Sequence, residues 1–144
     1  MTHPVLYEVQ AYRKRIVIGC APDEQAGPPQ EVVFDLVAAL PPLPALLTDV
    51  WDPVFDYCCL TDAVDEACAA SGVKILQEAL AFDVMGRVFQ KSALVETLEV
   101  ATRKTERYQN TNAIGFRIKM NRTEWQAMQS AIEAGAAGKA GGSI

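Results

Sequence analysis

Apolar and polar residues alternate at the start of the chain: Val5, Tyr7, Val9 and Ala11 interleave with Leu6, Glu8 and Gln10, the period of two expected of a half-buried strand. After Arg13, Lys14 and Arg15 comes a second apolar run, Ile16, Val17 and Ile18. This pattern predicts a β-hairpin or one long bent strand. Residues 21–30 carry Pro22, Gly27, Pro28 and Pro29 and are expected to form a loop.

From there the period changes. Val32, Val33, Leu36, Val37 and Leu40 recur at spacings of three and four behind Pro28, Pro29 and Glu31, which predicts a helix to about Leu40, although Val-Val-Phe also suits a strand. Pro41, Pro42 and Pro44 close it. Asp52-Pro53 reads as one helix start, and Thr61, followed by Asp62, Asp65 and Glu66, as another that stops at Ser71-Gly72. Over residues 74–89 the apolar set is nearly all-round, as in a heavily buried helix. Ser92 is placed to cap a further helix, with Leu94, Val95, Leu98 and Ala101 or Thr102 as its stripe and Glu99 and Arg103 paired one turn apart.

The clearest strand signal is late. Ile114, Phe116, Ile118 and Met120 alternate with Gly115, Arg117 and Lys119. Asn121 then caps a helix with Glu124 at its third position and Trp125, Met128 and Ile132 on its buried side, ended by Gly135. The expected fold class is therefore α+β: short N-terminal strands, a central set of about four to five helices, and a strand at about 114–120 followed by a C-terminal helix. Residues 1–134 are expected to form one globular domain and residues 135–144 a Gly/Ala-rich tail.

Charge adds a second pattern. The chain has 13 Lys and Arg against 18 Asp and Glu, a formal net of -5, but the sum hides two regions of opposite sign. Residues 17–73 hold ten carboxylates and no Lys or Arg, whereas residues 87–122 hold eight cations against three carboxylates, a net of plus five. Such a chain either neutralises itself inside its fold or presents an acidic face, here Asp49, Asp52, Asp56, Asp62, Asp65 and Glu66, to a basic partner.

The N-terminus has no basic and apolar leader pattern, and no run reaches the roughly 18 apolar residues of a bilayer span, so a cytoplasmic protein without membrane contact is expected. Four cysteines, Cys20, Cys58, Cys59 and Cys68, include an adjacent pair and no Cys-x-x-Cys; they read as small buried residues in a reducing compartment.

The common phosphate-loop, dinucleotide, serine-hydrolase and zinc-protease motifs are absent, and the one histidine is His3, so no catalytic residue, cofactor or metal is assigned. Asp49, Asp52 and Asp56 have the spacing of a shared helix face that could hold a hard cation, but Pro53 interrupts it and capping accounts for them. Acids beside Cys58 and Cys59 argue against a reactive thiolate.

These features lead to a non-enzymatic interaction or regulatory protein that forms a homo-oligomer or meets a basic protein partner. One alternative is a small enzyme whose carboxylate-lined pocket, drawn from the acids between positions 49 and 66, works with Arg87, Arg103 or Arg117 on an anionic substrate. The other is a DNA-binding regulator, because residues 114–134 resemble the opening half of a ribbon-helix-helix repressor, which implies nucleic-acid contacts at Arg117, Lys119 and Arg122. That resemblance stops where the family's second helix would begin, at Gly135, and nucleic acid is accordingly not the expected partner.

Overall fold

The computed structural model describes the backbone of residues 3–50 and 54–142, and side chains as far as residue 136. The N-terminal alternation becomes one long bent strand, β1 (Val5–Ile16), with a bulge between Val9 and Tyr12. Ala11 takes φ 54° at that bulge, and its backbone N–H donates to Asp35 Oδ1 at 2.9 Å. The bulge bends the strand and restores its register, so that Val5, Tyr7, Val9, Tyr12, Lys14 and Ile16 all face the same side.

Three expectations fail next, each for a physical reason. The loop over residues 21–30 contains a short helix, α1 (Pro22–Ala26), in which Pro22 occupies the first turn and Glu24 reaches back to the Ala21 N–H. The helix expected to Leu40 is a strand, β2 (Gln30–Leu40). Val32, Phe34, Leu36, Ala38 and Leu40 are all fully buried on one face, so the period of two outweighs the helical spacing, in line with the β-branched content. The helix expected after Ser92 is also a strand, β3 (Thr97–Lys104), with Leu98 and Val100 buried and Thr102 beside them. Glu99 does not pair with Arg103 along a helix; it pairs with Arg117 across β3 and the next strand, β4 (Ile114–Asn121).

After the short α2 (Pro44–Leu47), residues 58–69 form one helix, α3 (Cys58–Ala69), and Thr61 lies in its first turn instead of capping it. The Asp52-Pro53 start falls at residues outside those described. The buried helix is α4 (Gln77–Lys91), as its apolar pattern predicts. At the start of α5 (Arg122–Gly142) the capping box is complete: Glu124 N donates to Asn121 Oδ1 at 2.8 Å and Asn121 N to Glu124 Oε1 at 2.9 Å. Gly135 does not end α5, which runs on to Gly142.

The strands form one antiparallel sheet in the order β1-β2-β3-β4. The helices α3 and α4 cover one face of it, and Leu60, Val64, Leu80, Val84, Met85 and Val88 pack there on the buried residues of β2 and β3. The opposite face carries charge, with Arg13 against Glu31, Arg103 against Asp35 and Arg117 against Glu99. Strands before helices, then strands and a last helix, make an α+β fold as expected.

Candidate functional site

Among the described residues only two polar ones are buried as whole residues, Gln77 and Thr102. Thr102 follows Leu98 and Val100 on the core side of β3, and Gln77 opens α4 where that helix meets the end of the sheet. Thr102 Oγ1 donates to Gln77 Oε1 at 2.9 Å, while Gln77 Nε2 reaches Ile114 O only at 3.4 Å, a long contact that leaves the donor weakly used. A cleft of about 300 Å³ opens on the other, charged face of the sheet, lined by Ala101, Arg103, Gly115 and Arg117 together with Thr102, Ala113 and Phe116; Gln77 does not line it. Gly115 is required by close approach, since a Cβ there would sit 2.7 Å from Thr102 O.

Two positions further along the same face of β3, Lys104 Nζ donates to Glu24 Oε2 at 2.9 Å. The two side chains are only 11% and 7% exposed. Glu24 also accepts from Gln30 Nε2 at 2.9 Å. Burial by itself would raise the Glu24 carboxyl, but the hydrogen bonds from Lys104 and Gln30, the Lys104 charge and the Ala21 N–H together hold it below the ordinary carboxylate value. Gln30 Nε2 further donates to Ile18 O at 2.7 Å and Gln25 Nε2 to Lys74 O at 2.8 Å, which ties α1 to the end of β1 and the approach to α4. Gly19 fits because it adopts φ +143° and because a Cβ there would collide with the Glu24 carboxylate. The result is an ordered polar cluster at one end of an apolar core, holding an ionised carboxylate, an ammonium and an amide.

None of these residues stood out in the sequence. The signal was parity: once β3 is a strand, Thr102 and Lys104 are polar residues at positions where Leu98 and Val100 are buried.

The residues that did stand out are dispersed. Asp65 accepts from Tyr12 at 2.7 Å and Lys14 at 2.8 Å, and those hydrogen bonds hold its carboxyl below the ordinary value. Glu66 meets Lys91 at 2.5 Å and Arg87 at 3.6 Å, and Asp56 Oδ1 accepts from the Cys58 N–H. Asp49 and Asp62 are not brought into this group by any side-chain contact, and Asp52 lies outside the described residues. Among the described residues no three His, Cys, Asp or Glu side chains gather as a metal site. Of the arginines proposed to work with these acids, Arg103 and Arg117 lie on the opposite face of the sheet.

Arg122 points inward, its guanidinium donating to Phe89 O, Ser92 O and Val95 O at 2.5, 2.7 and 3.0 Å, while Lys119 is exposed. Cys20 and Cys58 are exposed rather than buried, and Cys59 and Cys68 half-buried. The acidic and basic regions meet internally, Glu24 with Lys104, Asp23 with Arg107 and Glu66 with Lys91. Of the six acids expected to face a basic partner, Asp65 and Glu66 pair with cations of the chain, whereas Asp49, Asp56 and Asp62 are exposed.

No family model and no curated protein matches the chain. Solved structures do. The crystal structure of a dihydroneopterin aldolase from Burkholderia thailendensis bound to guanine is 20% identical, with TM-score 0.66, over 83% of this chain and 92% of that one. A Vibrio cholerae protein assigned as a dihydroneopterin aldolase is 24% identical, with TM-score 0.72, over 82% of this chain and 98% of that one. The E. coli dihydroneopterin aldolase in complex with neopterin is 17% identical, with TM-score 0.72, over 81% and 99%. The chain has the fold of dihydroneopterin aldolases. Because these neighbours are enzymes, the likeness overturns the expectation of a non-enzymatic interaction or regulatory protein, which had rested on missing motifs and polarised charge.

Proposed function

We propose that the protein is an enzyme acting on a small nitrogen heterocycle of the pterin or guanine kind, with Gln77 and Thr102 recognising the ring and the Lys104–Glu24 pair moving protons. The observation that carries this reading is the buried Gln77–Thr102 pair on the same face of β3 as the Lys104–Glu24 pair, in a fold shared with proteins solved with guanine and with neopterin. Both of those ligands have an adjacent ring carbonyl and N–H, and a carboxamide offers the matching donor and acceptor. Buried polar groups that must be paired give strong discrimination against rings lacking that edge.

Aldol-type cleavage needs a base that takes a hydroxyl proton as the C–C bond breaks, and an acid that protonates the carbon left on the ring side. Glu24 and Lys104, hydrogen-bonded at 2.9 Å on the core side of β3, are the base and the acid this reading assigns. Among the described residues the outer edges of β1 and β4 have no strand partner, which supports the expected homo-oligomer. Among the described residues no helix is long and apolar enough to cross a membrane, and the four free cysteines support a reducing cytoplasmic setting.

The test is binding and turnover with defined compounds. Neopterin and guanine are titrated by fluorescence and calorimetry, and dihydroneopterin is assayed for aldehyde release. Gln77→Leu should abolish binding while the protein stays folded, and Glu24→Gln should keep binding and lose turnover. Absence of binding by both ligands at millimolar concentration would overturn the proposal.

A further inference from the structure

The apolar stripe of α5 is used at one end and left open at the other. Trp125 is buried; its ring packs on Phe89 at 5.5 Å between centroids and lies 3.1 Å from where a Gly86 Cβ would stand. Met128 and Ile132 continue the stripe one and two turns on, yet remain 43% and 53% exposed. Between them and the sheet lies a groove of about 560 Å³ floored by Phe82 of α4 and by Phe116, Ile118 and Met120 of β4. Glu78 and Glu133 stand at its rim from α4 and α5, both exposed, and make no ion pair among the described residues.

We infer that this groove binds a small amphipathic organic cation, its apolar body on Phe82, Phe116, Met128 and Ile132 and its ammonium group between Glu78 and Glu133. The volume lies in the range of small-molecule sites, and a mostly apolar lining with a few fixed polar groups is their usual composition. Aromatic faces and thioethers accept a quaternary ammonium body, and the two carboxylates select its sign. An anionic amphiphile would bring its head against both. A second copy packed about a two-fold axis would bring the same carboxylates toward their own images, a like-charge contact that disfavours it. The inference does not rest on the proposed activity, since its residues are distinct from Gln77, Thr102, Glu24 and Lys104.

The probes are three diphenylhexatriene dyes with a common body: the trimethylammonium derivative, the neutral parent and the propionate. Fluorescence titration below the dyes' aggregation threshold should give one saturable site for the cation, about tenfold tighter than for the anion, as two partly exposed charge contacts allow. Ile132→Asp, at an exposed position, should remove binding with an unchanged circular dichroism spectrum. Glu78→Gln with Glu133→Gln should keep binding and abolish the preference for the cation. Equal affinity for cation and anion, or cation binding untouched by Ile132→Asp, would overturn the inference. So would a concentration-dependent dimer in sedimentation that Ile132→Asp dissociates and that excludes the dye, because the groove would then belong to a second copy.

Discussion

Thr102 donates to Gln77 at 2.9 Å across the junction of β3 and α4, joining the only two polar residues that are buried as whole residues among those described. Each satisfies the other, so removing one alone strands its partner. Thr102→Val and Gln77→Leu should each lower stability by about 1–3 kcal/mol, while the double variant should recover part of that cost because no group is left unpaired. Urea denaturation of the four proteins measures this coupling. Under the proposed function the double variant should also fail to bind neopterin.

Glu24 gives the fold an acid dependence of fixed sign. Its carboxyl is held below the ordinary 4.5 in the folded protein, so its stabilising contribution is complete above about pH 5 and is lost as pH falls through the lower folded value. Thermal melting between pH 6 and about pH 3 should show this loss, and Glu24→Gln should flatten it. At neutral pH the variant leaves the Lys104 charge without its partner and should cost about 2–3 kcal/mol.

Arg122 closes the C-terminal end of α4 by donating to three carbonyls, and its guanidinium lies 4.9 Å from the centre of the Phe89 ring. Arg122→Ala should lower stability by about 2 kcal/mol, seen as a reduced Tm, and Arg122→Lys should restore only part because one ammonium cannot serve three carbonyls in that fork geometry. Unchanged Tm in both variants would show that these carbonyls are equally well served by water.

Ala11 holds φ 54°, a left-handed conformation that favours glycine, and the Asp35 carboxylate accepts its N–H. Ala11→Gly should raise stability by up to about 1 kcal/mol by relieving this strain. Asp35→Ala should lower it by freeing the bulge and unpairing Arg103. Chemical denaturation of both variants checks the pair of opposite signs.

Thiol labelling should divide the cysteines. Burial, and the acids Asp56 and Asp62, push Cys59 up to about 11; burial pushes Cys68 up to about 11. Near pH 8 both are almost wholly protonated and should react with iodoacetamide only after unfolding. Cys58 is exposed but held above its ordinary value by Asp56, so it should label slowly, and exposed Cys20 first. Mass spectrometry of a time course gives the order.

The sequence determined those elements whose evidence is local. Strict alternation set β4, all-round apolarity set α4, and Asn121 with Glu124 set the start of α5, because pleat, helical period and cap are properties of neighbouring residues. The order of these patterns also set the α+β class as a whole, whereas the prolines and glycine of residues 21–30 suggested a loop where the structure has the short helix α1. What only the tertiary structure decided were positions where two periods fit the same residues: 30–40 and 97–104 satisfy both helical and strand spacing, and pairing of β2 with its neighbours on both sides settles them. The buried polar cluster followed from that decision. Thr102 and Lys104 become core-facing only once β3 is a strand, and Glu24, Gln30 and Gln77 reach them from distant segments through folding. The opposed charges of the two halves, conspicuous along the chain, largely cancel in space because the fold sets Lys104, Arg107 and Lys91 against Glu24, Asp23 and Glu66.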